Sequence, residues 1–201
     1  MKDKEQTKRK LINAVAHVIR NEGHSGLGVN KIARLAGTDK KLIYRYFGSF
    51  ERLLEAYVME TDYWMRFADH LHELKVPEGM EDVKSLLGDI LKNQFLYFYE
   101  HKEMQQLILW ELTVSSNLMR SVHRAREAKG QELLQMADQY LKNDQLNFRA
   151  VAALLVGGIY YMILHTRHNG AVFSDIDLSE PNGRQHIINA IETILTMVFE
   201  G

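Results

Sequence analysis

The 201-residue sequence predicts an all-α protein of about nine helices. Three observations carry that expectation. Apolar residues recur at three- and four-residue spacing over most of the chain, while the two-residue alternation of a half-buried strand is scarce. There are two prolines, Pro77 and Pro181, and both fall between helical patterns rather than inside one. Apolar residues make up 46% of the chain and charged residues 25%, a soluble globular balance with enough length to bury a core.

The elements follow in order. Leu11, Ile12, Val15, Val18 and Ile19 share one face of a first helix, which "NEGHSG" ends. Two short helices are expected at about 29–36 and 40–47. Ser49 then caps a long helix carrying Leu53, Leu54, Tyr57, Val58, Trp64, Ala68 and Leu71, which runs to about residue 74 before "KVPEG". Further patterns cover about 80–100, 103–114, 117–142, 147–168 and 183–199, joined by "EHK", "SSN", "KNDQ" and the long loop "NGAVFSDIDLSEPNG".

The last two helices differ from the rest. The run "VAALLVGGIYYMIL" at 151–164 is apolar around its circumference; at 14 residues it is shorter than a bilayer span and reads as a helix buried in protein. The final helix is nearly as apolar, and such an excess on a terminal helix points to a partner surface. Val156, Gly157, Tyr160, Ile187, Ile191, Leu195 and Val198 are the candidate contacts, with Gly157 and Gly158 allowing close backbone approach.

The net charge of −1 conceals an asymmetry: residues 1–50 carry a net +7 and residues 51–201 a net −8. A basic first quarter on an acidic remainder suggests a polyanionic partner for that quarter alone. Absence of cysteine excludes disulfides and thiol chemistry and fits a reducing compartment. The charged start "MKDKEQTKRK" has no apolar stretch behind it, so the sequence reads as cytoplasmic, without a secretory signal or a membrane partner.

The stretch "IARLAGTDKKLIYRYFGS", residues 32–49, holds the most specific pattern. Ala33 and Ala36 are small enough for a tight helix crossing, Gly37 supplies a left-handed turn position, and Asp39 is a good cap. Ile43 and Phe47 face inward; Lys40, Lys41, Tyr44 and Arg45 point out. This is a helix-turn-helix pattern whose second helix offers cations and hydroxyls to phosphates and to base edges in the major groove.

The run "IARLAGTDKKLIYRYFGSFERLL" resembles the signature of TetR-type transcriptional regulators, roughly I-A-x-x-A-G-V-S-x-G-x-[LI]-Y-x-[YH]-F-x-[SN]-K-E-x-L. Ile32, Ala33, Ala36, Gly37, Ile43, Tyr44, Tyr46, Phe47, Ser49, Glu51 and Leu53 match it. Gly28, Lys41, Gly48 and Phe50 depart from it. The resemblance implies a helix-turn-helix domain over residues 1–50, with its linking helix continuing to about 74, and an effector-binding and dimerisation domain over 75–201. It also implies a homodimeric, ligand-released repressor on a palindromic double-stranded DNA operator. Lys40, Lys41, Tyr44 and Arg45 would face bases or nearby phosphates. Asn30, Lys31, Thr38, Tyr46 and Ser49 would hold the backbone, and Lys8, Arg9 and Lys10 would add non-specific attraction.

Phe95, Tyr99, Trp110, Met119, Tyr160 and Tyr161 are candidate pocket residues and suggest a hydrophobic or aromatic effector. No cofactor or metal is expected: His165 and His168, and His70 and His72, lack a third ligand at suitable spacing. No catalytic motif is present, so an enzyme is not expected. The competing expectation is a helical ligand-binding or protein-interaction module that has lost DNA recognition, motivated by Gly48 and Phe50.

Overall fold

The computed structural model describes residues 2–66, 77–141 and 147–200. These form helices α1 (Lys2–Glu22), α2 (Val29–Leu35), α3 (Lys41–Phe47), α4 (Phe50–Thr61), α5 (Met80–Glu100), α6 (Lys102–Thr113), α7 (Asn117–Asp138), α8 (Phe148–Asn169) and α9 (Pro181–Glu200). A 3-10 turn lies at His24–Gly26, and strands β1 (Val172–Phe173) and β2 (Ile176–Asp177) form a small hairpin. The all-helical architecture is thus as expected, with that hairpin added. Contacts divide the chain into two compact units, residues 1–72 with 101–126, and residues 73–100 with 127–201.

The first unit is built on α1. Its apolar stripe of Leu11, Val15, Val18 and Ile19 is fully buried with Ile32 of α2, Ile43 of α3 and Leu53 and Val58 of α4. Met104 and Leu107 of α6 join this core. At the rim Arg20 donates from Nε to Glu103 at 2.8 Å, tying α1 to α6, and Arg9 pairs with Glu60 of α4. Trp110 of α6 stacks on His24 at 5.8 Å between centroids and 8° between planes.

The long helix expected after Ser49 is interrupted. α4 ends at Thr61, Asp62 is extended (φ −68°, ψ 129°), and a new helical turn occupies 63–66. The Asp62 carboxylate caps that turn, accepting from the backbone N–H of Trp64 at 2.9 Å and Met65 at 3.2 Å. It is fully buried and accepts from Arg126 of α7 through Nε at 2.8 Å and through Nη2; Arg126 also donates to Glu111 of α6. A buried carboxylate needs such partners, and placing them at residue 62 breaks the helix there. Ala68 and Leu71, expected further along this helix, and His70 and His72 lie outside the described residues.

In the second unit α5 packs against α8 and α9. Lys84 reaches Glu200 at 2.7 Å and Lys92 reaches Glu192 at 2.8 Å, so both ion pairs join α5 to α9. The loop expected between the last two helices contains the hairpin, pairing Val172 with Asp177 and Phe173 with Ile176. Its turn residues Ser174 (φ 50°) and Asp175 (φ 62°) are both left-handed, the pairing of a type I′ hairpin turn. α9 then opens on Pro181 at its first position, where the missing N–H costs nothing.

This chain alone covers little of the apolar run at 151–164. The helix is 22 residues, Phe148–Asn169, long and apolar enough by length and composition to cross a membrane, yet only 17% of its most apolar stretch is buried. Leu154 is 77% exposed and Tyr161 60%. Ile159, Ile163 and Thr166 form the inward stripe, with Phe148 buried at the start against Phe199.

Candidate nucleic-acid interface

The segment from Gly28 to Ser49 is organised by short-range hydrogen bonds. α2 begins at Gly28, whose carbonyl accepts from Ile32 N–H at 2.9 Å, and buries Ile32 and Ala33. It closes with Thr38 N–H donating to Ala33 O at 3.0 Å and Gly37 N–H to Arg34 O at 3.1 Å. This pair of bonds needs a left-handed residue between them, and Gly37 has φ 62°. Asp39 then caps the next helix: its carboxylate accepts from Lys41 N–H at 2.7 Å and its carbonyl from Leu42 N–H at 3.0 Å.

α3 buries Ile43 and leaves Lys40, Lys41, Tyr44 and Arg45 exposed, Tyr44 by 50%. Lys40, Lys41 and Arg45 carry no ion pair among the described residues, so three cations stand together with only Asp39 as a nearby acid on this segment. Arg34, exposed in the last turn of α2 and likewise without an ion pair, extends the group; an outward position in the helical pattern of α2 would have revealed it. A solvated surface normally intersperses opposite charges. A one-sign group on an exposed helix start is arranged for an anion.

The remaining expected contacts divide. Asn30 is exposed on the first turn of α2. Lys31 is held by Glu22 at 2.6 Å, Lys8 by Glu5 at 3.3 Å and Arg9 by Glu60, so each would exchange a carboxylate for a phosphate. Tyr46 is half-buried, and the Thr38 hydroxyl is buried without a hydrogen-bond partner. Ser49 caps α4, its hydroxyl accepting from Arg52 N–H at 3.2 Å. Gly48 departs from the family pattern for a backbone reason: with φ 86° it ends α3, donating to Tyr44 O at 2.9 Å. Arg52 lies beside it, its guanidinium in ordinary contact range, 3.5 Å, of where a Cβ at residue 48 would be.

The six expected pocket residues are distributed over both units. Trp110 and Met119 are buried in the first. In the second, Phe95 is fully buried and stacks on Tyr99 at 6.5 Å, and Tyr160 meets Phe98 at 4.7 Å. Arg167 and Arg184 hold their guanidinium carbons 4.3 and 4.9 Å from the centre of the Tyr99 ring, so that ring is covered by cations. Tyr161 is on the surface with His165 and Phe173.

The expected interface residues also divide. Ile191, Leu195 and Val198 are buried within the chain; Val156, Tyr160 and Ile187 are half-buried, and Gly157 is exposed. α9 carries two apolar stripes. The one that remains outside is Ile187, Ala190, Ile194 and Met197, at i, i+3, i+7 and i+10. On α8 the outer stripe is Leu154, Gly157 and Tyr161. No group of three metal-ligating side chains gathers among the described residues.

Residues 11–57 match the model of a family described as bacterial regulatory proteins, tetR family. The HTH-type transcriptional repressor NicS of Pseudomonas putida is 23% identical over 191 residues, covering 90% of this chain and 86% of its own. Among solved structures, the fatty acid degradation regulator FadR from Bacillus halodurans shares the fold with a TM-score of 0.67 at 18% identity, over 93% of this chain and 96% of that one. The transcriptional regulator FadR from Bacillus subtilis, solved with stearoyl-CoA, gives 0.65 at 18% identity over the same shares.

Proposed function

We propose, from its N-terminal domain and its helical architecture, that the chain is a TetR-family transcriptional regulator that works as follows. It binds a palindromic operator as a homodimer and leaves it when a hydrophobic or aromatic effector occupies its helical body. The observation that carries this reading is the unpaired cationic group of Lys40, Lys41 and Arg45 around exposed Tyr44, on a helix fixed by the turn at Gly37. Lysine and arginine at the start of α3 neutralise phosphate and pair with guanine, while the tyrosine ring meets sugar or a thymine methyl.

Two copies of α3 engage successive half-sites only if they stand one turn of DNA apart, about 34–36 Å. The outer stripes of α8 and α9 supply the pairing surface, an apolar patch of the kind monomers avoid. That partner, rather than lipid, accounts for the exposed length of α8, in keeping with a regulator that shares the cytoplasm with its DNA. Effector binding moves α4, which joins α3 to the rest of the chain. The grip of Arg126 on Asp62, at the end of α4, passes motion of α7 to that helix. Released from register, the second half-site contributes nothing and affinity falls. The work is recognition and release, with no reaction catalysed.

Selection from random duplexes with the purified full chain at moderate salt tests the proposal. The expected result is a palindrome with half-sites one turn apart, lost in Lys40→Ala combined with Tyr44→Ala while the dimer remains. No enrichment by the wild type, or unchanged enrichment by the double variant, removes DNA reading from α3.

A further inference from the structure

Leu87, Leu91, Gln94 and Phe98 fall at i, i+4, i+7 and i+11 on α5 and are all buried. Gln94 is 1% exposed, and among the described residues neither its Nε2 nor its Oε1 meets a hydrogen-bonding partner. Four positions along the helix, Phe98 packs on Tyr160 of α8, and the adjacent Phe95 is fully buried. An amide in apolar surroundings with both ends unmet is a costly way to fill such a position; leucine would serve packing better. Among the described residues of the second unit, the other buried polar side chain, Thr166, is satisfied within its own helix, donating to Ile163 O at 3.1 Å.

We propose that Gln94 is the polar anchor of the effector site, recognising an uncharged carboxamide or lactam edge on an otherwise apolar ligand. The inference rests on the effector-responsive reading above and names the ligand class that reading leaves open. A glutamine amide presents one acceptor and one donor side by side, which matches a group presenting a donor and an acceptor in the same order. Both bonds form at once in a dry site, where leaving either unmade is penalised. Charge argues against an ionised head group: among the described residues of the second unit no charged side chain is buried, so an ionised head group beside Gln94 would lack a buried counter-charge. The cations at Tyr99, exposed Arg167 and half-buried Arg184, mark where a carboxylate would go instead.

Benzamide, acetophenone and cumene have nearly one shape and offer two, one and no hydrogen-bonding functions; benzoate adds a charge. Their dissociation constants are measured by ligand-observed NMR on the full-length wild type and on Gln94→Leu and Gln94→Met, two apolar replacements of similar volume. The expected result is that the benzamide-to-cumene affinity ratio falls about tenfold or more in both variants, while their melting temperatures equal or exceed that of the wild type. Three outcomes overturn the assignment: no saturable benzamide binding by the wild type, a ratio unchanged by both variants, or benzoate binding more tightly than benzamide. Lower melting temperatures with an unchanged ratio identify an ordered water as the partner of Gln94, which also overturns it. Operator binding is followed separately on the same samples. Its failure in the wild type would sink the regulatory reading while leaving the amide assignment to be decided by the ratio.

Discussion

α3 and α8 both display what a self-sufficient domain hides, but in opposite chemistries. α3 shows unpaired cations around a half-exposed tyrosine; α8 shows Leu154, Gly157 and Tyr161 along a helix that buries little of itself. The first surface is held by local hydrogen bonds at Gly37 and Asp39 and attracts through charge, so its grip weakens as salt rises. The second attracts through exclusion of water and keeps its grip in salt. A reader that must leave its target benefits from a screened contact, and a pairing that must persist benefits from an apolar one.

The comparison breaks first if charge inside the first unit is as expendable as charge on its surface. Arg126→Ala strands the buried Asp62 carboxylate and should cost about 3–5 kcal/mol, read as a drop in chemical-denaturation midpoint. Leu154→Glu, placing charge in the middle of the α8 stripe, should halve the mass seen by light scattering at micromolar concentration. It should also lower operator affinity at least ~100-fold, because the second half-site is no longer tethered. A dimer unaffected by this change would move the pairing surface off α8.

Gly37→Ala tests the local scaffold. Nothing lies near enough to clash with the added methyl group, so its expected cost of about 1–2 kcal/mol comes from φ 62° alone. The smallest effect concerns Glu51. Its carboxyl is held below its ordinary pKa, chiefly by the hydrogen bond from its own backbone N–H and then by the Ser49 hydroxyl. A depressed folded-state pKa stabilises above the unfolded value and is lost as pH falls through the folded one. Glu51→Gln should therefore slightly reduce the acid sensitivity of thermal unfolding and leave neutral operator binding nearly unchanged.

How much of this was legible in the sequence depends on the range of the interactions. The helix-turn-helix could be read because Gly37, Asp39 and Ile43 act within a few residues of one another. The break at Asp62 could not, since "METDYWM" continues a helical pattern and Arg126 lies 64 positions away. The inner and outer stripes of α9 look alike in sequence because both carry isoleucine; of the interface candidates there, Ile191, Leu195 and Val198 lie on the face that α5 covers and Ile187 on the outer one. The hairpin escaped because each strand has two residues. Gln94 looks ordinary in sequence; only its surroundings make it an unmet amide.

The separation of the cationic surface and the apolar surface onto different helices has a genetic consequence. If the chain pairs as proposed, a subunit damaged in α3 but sound in α8 and α9 still joins an intact subunit and spoils its grip, so such alleles should be dominant over wild type. A subunit damaged at Leu154 withdraws from pairing and should be recessive. Co-expression from two plasmids, with a reporter behind the selected operator, would tell the two classes apart.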